Sequence, residues 1–509
     1  MLLEKAKSAI LMVLFAICAY LAGQFLLDTS SISARAGSAG GNVQVSVNIE
    51  DLLNPQGYQV SFGGGLYSGH FDSGLKNSLW SSAKGLIRSA LETSDYTEAD
   101  QVIWDEAVTQ RSVTIKLPFA MTMDQILVAA GSDVSRDLLG TAAFDVVIIP
   151  TAEPGIVLLG NRSEARFVSF SYSVGTTTGA VTAQITQSED LAALLTEIEQ
   201  DEKTVEYKRI EDTFSLRTIL EKSGQAYREN HIIEPIVAMP TFEKVRVQNE
   251  FSLETLSEEQ ERYYADIAFG ARFDFVKRVR EVDGSVVYLY GYGDRALRFG
   301  AQGRLEYQER FRGGSTSDEI LSFKDSLTKA VSELRKYGEF PEGFYLRYFT
   351  ETEDAPGVRV KTFHFSHRHE GLTVDLSDQE MPYTATVEIT NDQVTYLMKN
   401  YKDIQRLLPT TESSNQILSL DRLIESQFDL ILKDYLTLNP EAAASKDDFG
   451  FVYQILHDIT EYELVYFLSH DNNVLTYLPA WHLGIGSNHY YFDLYTGELL
   501  QRVPTQAVK

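Results

Sequence analysis

FDFVKRVREVDGSVVYLYGYGDRALRFGAQGRL, residues Phe273–Leu305, is the stretch that decides the fold. Short runs of Val, Tyr, Leu and Phe are cut by Asp283-Gly284 and by Gly291–Gly293. β-branched and aromatic residues favour the pleated surface of a strand, and Asp-Gly supplies the positive backbone angles of a tight hairpin. The stretch therefore predicts an antiparallel meander that ends where Arg312-Gly313-Gly314-Ser315 breaks the pattern.

Two units follow it, each a helix and then strands. In the first, Ile320, Phe323, Leu327, Ala330, Val331 and Leu334 share one helical face, before the runs Phe344–Phe349, Val358–Phe365 and Ala385–Ile389. In the second, Leu420, Leu423, Ile424, Phe428, Ile431 and Leu432 do the same, with a further helical turn at Phe451–Ile459. The runs Tyr462–Leu468, Val474–Pro479 and Tyr490–Leu494 come after it. Helices followed by runs of strands, without strand-helix-strand alternation, indicate α+β with antiparallel sheets.

Upstream, Leu75, Leu79, Ala83, Leu86 and Ala90 form a helical stripe. Val113–Leu117 reads as a strand stopped by Pro118, Phe144–Ile149 as one stopped by Pro150, and Ile156–Leu159 and Phe167–Tyr172 as two more. Ser188 is placed to cap a helix carrying Leu191, Leu194, Leu195 and Ile198, and Val43, Val45, Val47 and Ile49 alternate as in a half-buried strand.

The amino terminus differs in kind. Ser8–Leu27 (SAILMVLFAICAYLAGQFLL) carries no charge and is long enough, at ~1.5 Å per residue, to cross a ~30 Å hydrocarbon core. Lys5 and Lys7 keep the preceding tail in the cytoplasm, so the C-terminal body lies outside the cell. A cleaved signal peptide with Ala34-Arg35-Ala36 as its site is the competing reading, but the apolar run is too long and ends too early for it. Ala16, Ala19, Gly23 and Gln24 fall on one helical face, where small residues and an amide suit contact with another membrane helix. The expected order is a cytoplasmic tail (1–7), a transmembrane helix (8–27), a linker (28–42), an extracytoplasmic domain (43–200) and a middle domain (201–314). A C-terminal region (315–509) closes the chain with two helix-plus-meander units, about 316–405 and 415–503.

Composition narrows function. The 509 residues carry a formal charge of −27, which disfavours nucleic acid and anionic lipid surfaces. A single cysteine excludes an internal disulfide framework and a thiolate zinc site. There is no phosphate-binding loop at Gly63-Gly64-Gly65 or Gly484-Ile485-Gly486, no Gly-x-Ser-x-Gly elbow and no His-Glu-x-x-His, so no catalytic residue and no cofactor are expected. The one metal candidate is His364–His369 (HFSHRH). On a strand His367 and His369 would share a face, with Glu370 and Asp375 nearby, but a polar strand edge is the more economical reading and no metal is assigned.

The later half resembles the YycH family. Phe273–Tyr307 and Leu321–Phe344, with its Ser322-Phe323-Lys324 helix start and Phe340-Pro341 turn, are similar to stretches of that family. Leu478-Pro479-Ala480-Trp481, Tyr491-Phe492-Asp493 and Thr496-Gly497-Glu498 resemble its closing Pro-Ala-Trp and aromatic-Asp…Gly-Glu pattern. Tyr288-Leu289-Tyr290-Gly291 departs from its usual Tyr-Thr-Asp-Gly turn, and Tyr490–Leu499 also resembles the end of a PepSY module. The resemblance implies a membrane-anchored, non-enzymatic regulator of a WalK-type sensor histidine kinase, acting with a YycI-like protein on cell-wall metabolism in a Gram-positive bacterium. The alternatives are an anchored extracytoplasmic hydrolase and a PepSY-like module that binds a ligand or protease.

Overall fold

The computed structural model describes residues 48–504 except 70–72, 137, 152–154, 162–163, 173–178, 202–205, 224–232, 236–240, 255, 313–319, 377–381, 409–416, 440–448 and 472–473. The predicted membrane helix and its face of Ala16, Ala19, Gly23 and Gln24 lie outside these residues, as do the linker and Val43, Val45 and Val47. Among the described residues no helix is long and apolar enough to cross a membrane. Ile49 does not continue a strand but opens a short helix, Ile49–Leu52.

Among the described residues the chain builds α+β structure around three sheets whose neighbours run antiparallel with one exception. The first has nine strands in the order Tyr96–Ala99, Arg166–Ser171, Ile156–Asn161, Ala143–Pro150, Ser112–Thr122, Gly57–Gly63, Leu66–Gly69, Glu206–Arg209, Ile233–Pro235. Helix Ser73–Thr93 buries Leu79, Ala83, Leu86 and Ala90 completely, as the spacing required. Helix Gln101–Thr109, capped by Asp100, sets Trp104 against Val146, Ile148, Leu158 and Phe167. Gly160 lets the indole settle there, since a Cβ at that position would stand 2.3 Å from Trp104 Cη2.

Two expectations fail here. Pro118 does not end its strand, which runs on to Thr122. The ladder to Ala143–Pro150 shifts register between Lys116 and Met121, so the proline falls where no ladder N–H is required. Ser188 does not cap a helix either: it lies within Gly179–Gln200. The preceding GAVTAQITQ contains no proline to stop the helix from starting earlier.

The second sheet contains the predicted meander. Lys277–Arg280, Val286–Tyr290, Arg295–Phe299 and Leu305–Glu309 pair in sequence order. Their last strand joins Gln393–Lys399, followed by Ala385–Thr390, Val358–Ser366 and Tyr345–Ala355. Helix Phe323–Arg335 packs on this sheet through Leu327, Ala330, Val331 and Leu334, with Ser322 accepting the Asp325 N–H at its start.

The third sheet runs Arg368–His369, Leu372–Asp375, Ile459–Asp471, Val474–Ile485, Lys244–Asn249, Lys402–Leu408. Leu372–Asp375 beside Ile459–Asp471 is the one parallel pair among the described residues. Val474–Ile485 forks. Leu475, Thr476 and Tyr477 pair with Lys244–Asn249, whereas Ala480–Ile485 pair with Asn488–Asp493, which leads on to Leu499–Pro504. Pro479 stands between the two partners, where its missing N–H breaks neither ladder, so this strand too continues past the proline at which the sequence reading placed its end.

Candidate functional site

Side chains alternate across a strand, so the third sheet presents two faces. Tyr462, Leu464, Tyr466, Trp481, Leu483, Tyr490 and Phe492 point to one side and bury against helix Leu420–Leu438 through Leu420, Leu423, Ile424 and Ile431. The residues between them point the other way. On that side Val465, Phe467, Ala480 and Tyr491 make a small apolar patch, bordered by Asp375, Glu461, Glu463, His482 and His489.

This polar face is closed by residues from the other two sheets. Lys116 of the nine-stranded sheet forms an ion pair with Glu463, whose other oxygen accepts from Gln56 Nε2 at 2.9 Å. Arg347 of the meander sheet pairs with Asp375, and Tyr491 donates its hydroxyl to Asp375 at 3.1 Å. Burial alone would raise the Glu463 carboxyl, but the Lys116 ammonium, with His482 and Arg347 behind it, outweighs burial and holds it at about 2. Burial pushes the Tyr491 hydroxyl well above its usual value, and Asp375 pushes it further.

Two cavities flank the Lys116–Glu463 pair. One, of about 190 Å³, is lined by Tyr58, Trp104, Lys116, Glu461 and Glu463. The other, of about 150 Å³, lies between Tyr58, Lys76, Tyr207, Thr373 and Trp481. Beside the first, His482 Nε2 is 3.0 Å from His489 Nδ1, and Glu461 Oε2 stands 3.6 Å from His482 Nδ1 and 3.7 Å from His489 Nδ1. The His482 ring stacks on Tyr491 at 4.8 Å. Burial, with His482 next to it, depresses the His489 imidazole. Imidazole nitrogens and a carboxylate are zinc-type ligands.

The sequence-predicted histidines do not make a site of this kind. His364 lies in Val358–Ser366 of the meander sheet, stacked on Tyr383 at 4.3 Å, with Nδ1 3.0 Å from Thr386 Oγ1. His369 lies in Arg368–His369 of the third sheet, its ring 5.2 Å from Tyr466. His367 occupies the crossing between the sheets, buried, with Nδ1 2.8 Å from Thr384 Oγ1. Burial holds His364 at about 4 and His367 at about 3, so both are neutral, the first half-buried and the second fully buried. The two other ligands considered for them are engaged elsewhere: Asp375 with Arg347, and Glu370 as acceptor of the Tyr466 hydroxyl at 3.2 Å.

Sequence reasoning missed Glu461, His482 and His489 because they come from three strands and share no local motif. The signal present was alternation: His482 and Gly484 on one strand and His489 and Tyr491 on the next lie on the side opposite Trp481, Leu483 and Tyr490. The residues behind the family resemblance are structural. Trp481 Nε1 donates to Leu418 O at 2.9 Å and its ring stacks on Tyr462 at 4.3 Å. Asp493 Oδ1 accepts from the backbone N–H groups of Tyr495 and Thr496 and from the Thr496 hydroxyl. Gly497 takes φ +69°, and a Cβ there would stand 2.5 Å from Leu418 Cδ2. Together they fasten the last hairpin to the start of helix Leu420–Leu438.

No family model matches the chain, and no curated protein matches it at a significant level. Among solved structures, the chain is similar to YycH from Bacillus subtilis, with 10% identity and a TM-score of 0.47 over 91% of this chain and 98% of that one. It is also similar to an uncharacterized protein from Eubacterium rectale, with 13% identity and a TM-score of 0.33 over 52% of this chain and 86% of that one. The C-terminal domain of YpeB from Bacillus megaterium gives 11% identity and a TM-score of 0.25 over 49% of this chain and 98% of that one. At these values the likenesses carry no inference about activity or partners.

Proposed function

We propose that the chain is a membrane-anchored, non-enzymatic regulator whose extracytoplasmic body works by contact with a WalK-type sensor kinase and a YycI-like protein. One observation carries the reading: the residues of the closing resemblance, Pro479, Trp481, Asp493 and Gly497, each meet a distinct requirement of the same corner of the fold. A likeness seated on such constraints speaks for common ancestry more strongly than one seated on surface residues. The body stands on the outer side, and Ser8–Leu27 holds it beside the kinase helices. An accessory helix biases a kinase only if it packs differently against the two signalling states, so Ala16, Ala19, Gly23 and Gln24 are where that difference arises.

The test is crosslinking in native membranes from positions flanking the anchor, together with replacement of Ser8–Leu27 by an unrelated membrane helix. A histidine kinase is expected as the crosslinked neighbour, and the replacement is expected to weaken kinase regulation. Undiminished regulation after the swap would refute the helix-contact mechanism. A second reading, an anchored hydrolase, draws support from the carboxylate and imidazole pair beside a cavity; turnover of wall fragments by the purified chain would favour it.

A further inference from the structure

We infer that Glu461, His482 and His489 form a binding site for one divalent transition-metal ion, with zinc the best match to the ligand set. In the third sheet Gly484 pairs with Glu461 on one side and with His489 on the other. His482 lies two residues earlier on the same strand and so on the same face. Three ligand side chains from three adjacent strands therefore surround a position that carries no side chain of its own. A Cβ on Gly484 would approach the Glu461 Cβ and Thr460 Oγ1 to 3.1 Å, which leaves glycine as the residue that keeps this space open.

The distances suit an ion. One ligand atom from each residue lies within 4.8 Å of the others, and the two facing imidazole nitrogens are 3.0 Å apart. Zinc bonds of ~2.0–2.2 Å in a tetrahedron place ligand atoms roughly 3.3 Å from one another, so side-chain shifts of about an ångström complete the geometry. His482 is held by its stack on Tyr491, which fixes the ring plane before any ion arrives. The charges also favour a cation. Glu463 and Asp375 are neutralised by Lys116 and Arg347, while no Lys or Arg among the described residues forms an ion pair with Glu461. Glu461 also lines the cavity of about 190 Å³, which gives the ion a route in and a place for a fourth, exchangeable ligand. Softer thiolate-seeking ions are disfavoured, and Mg²⁺ or Ca²⁺ would want oxygen in place of the two imidazoles.

The inference is independent of the regulatory role: failure to bind zinc leaves the kinase crosslink untouched, and loss of the crosslink leaves the ion. The full-length protein, purified in detergent and stripped with chelator, is titrated with Zn²⁺ by calorimetry and with Co²⁺ as a spectroscopic substitute. One ion per chain is expected, with the Co²⁺ bands of a low-coordinate nitrogen and oxygen site. His482→Ala and His489→Ala are each expected to weaken Zn²⁺ binding by about 100-fold and Glu461→Gln by about 10-fold, at or above the effect of losing an outer-shell partner. His470→Ala, an exposed residue at the far end of the strand that carries Glu461, leaves binding unchanged. Absence of stoichiometric binding, or binding that survives both histidine substitutions, overturns the assignment. If the variants do not fold, a wild-type Co²⁺ spectrum lacking nitrogen ligation does the same.

Discussion

The two faces of the third sheet use the same strands for different ends. One face presents Tyr462, Leu464, Trp481, Leu483, Tyr490 and Phe492 to a helix and is joined chiefly by apolar burial. The other presents Glu463 and Asp375 to Lys116 and Arg347 of two further sheets and is joined by ion pairs. Apolar burial is non-directional and accumulates with area, so the first face can hold the unit together by itself. Charge pairing away from water is directional and nearly cancels against desolvation, so the second face contributes specificity of docking more than net stability. A cavity beside a docking face of this kind is where chemistry or ligand binding becomes possible.

The contrast can be broken at three points. The largest effect is expected from Trp481→Ala, which removes a buried indole, its stack on Tyr462 and its bond to Leu418. It should destabilise the body by about 3–5 kcal/mol in denaturant unfolding. A loss below about 1 kcal/mol would mean that the apolar face does not dominate. Next, Glu463→Gln strands the Lys116 ammonium in a half-buried place and should cost about 1–3 kcal/mol.

That second variant also has a pH signature. The folded carboxyl sits near 2 and the unfolded one near ~4.3, so the unfolded state binds more protons in between. The stability due to Glu463 is fully present above ~4.3 and is lost as pH falls towards 2. Unfolding midpoints measured across that range should fall less steeply in Glu463→Gln than in the wild type; parallel slopes would remove the Lys116 pair from the account. The smallest effect is expected from Gly497→Ala, which places a Cβ at φ +69° against the flexible end of Leu418 and should cost about 1–2 kcal/mol. A neutral result would show that the corner is adaptable and would weaken the case built on the closing motif.

Much of the local structure was legible. The meander followed from its punctuation: Gly284, Gly291 and Gly293 all have positive φ, at the turns where the sequence reading placed them. The stripe Leu79, Ala83, Leu86 and Ala90 is buried as its spacing required. Prolines misled twice. Pro118 and Pro479 read as strand ends, yet each sits where a strand changes register or partner, and pairing is a property of two strands at once. The histidines misled in the opposite sense. His364, His367 and His369 are neighbours in sequence and divide between two sheets, whereas His482 and His489 are separated by a hairpin that folds one onto the other.

The sequence by itself determined the meander, the amphipathic helices, the antiparallel habit and the acidic character, because periodicity, turn chemistry and charge act over a few residues. Only the tertiary structure decided that Lys244–Asn249 pairs with both Lys402–Leu408 and Val474–Ile485, that Lys116 meets Glu463, and that Glu461 joins two imidazoles. Those contacts depend on the closure of long loops against packing and desolvation summed over the whole chain, a balance that no short window of residues contains.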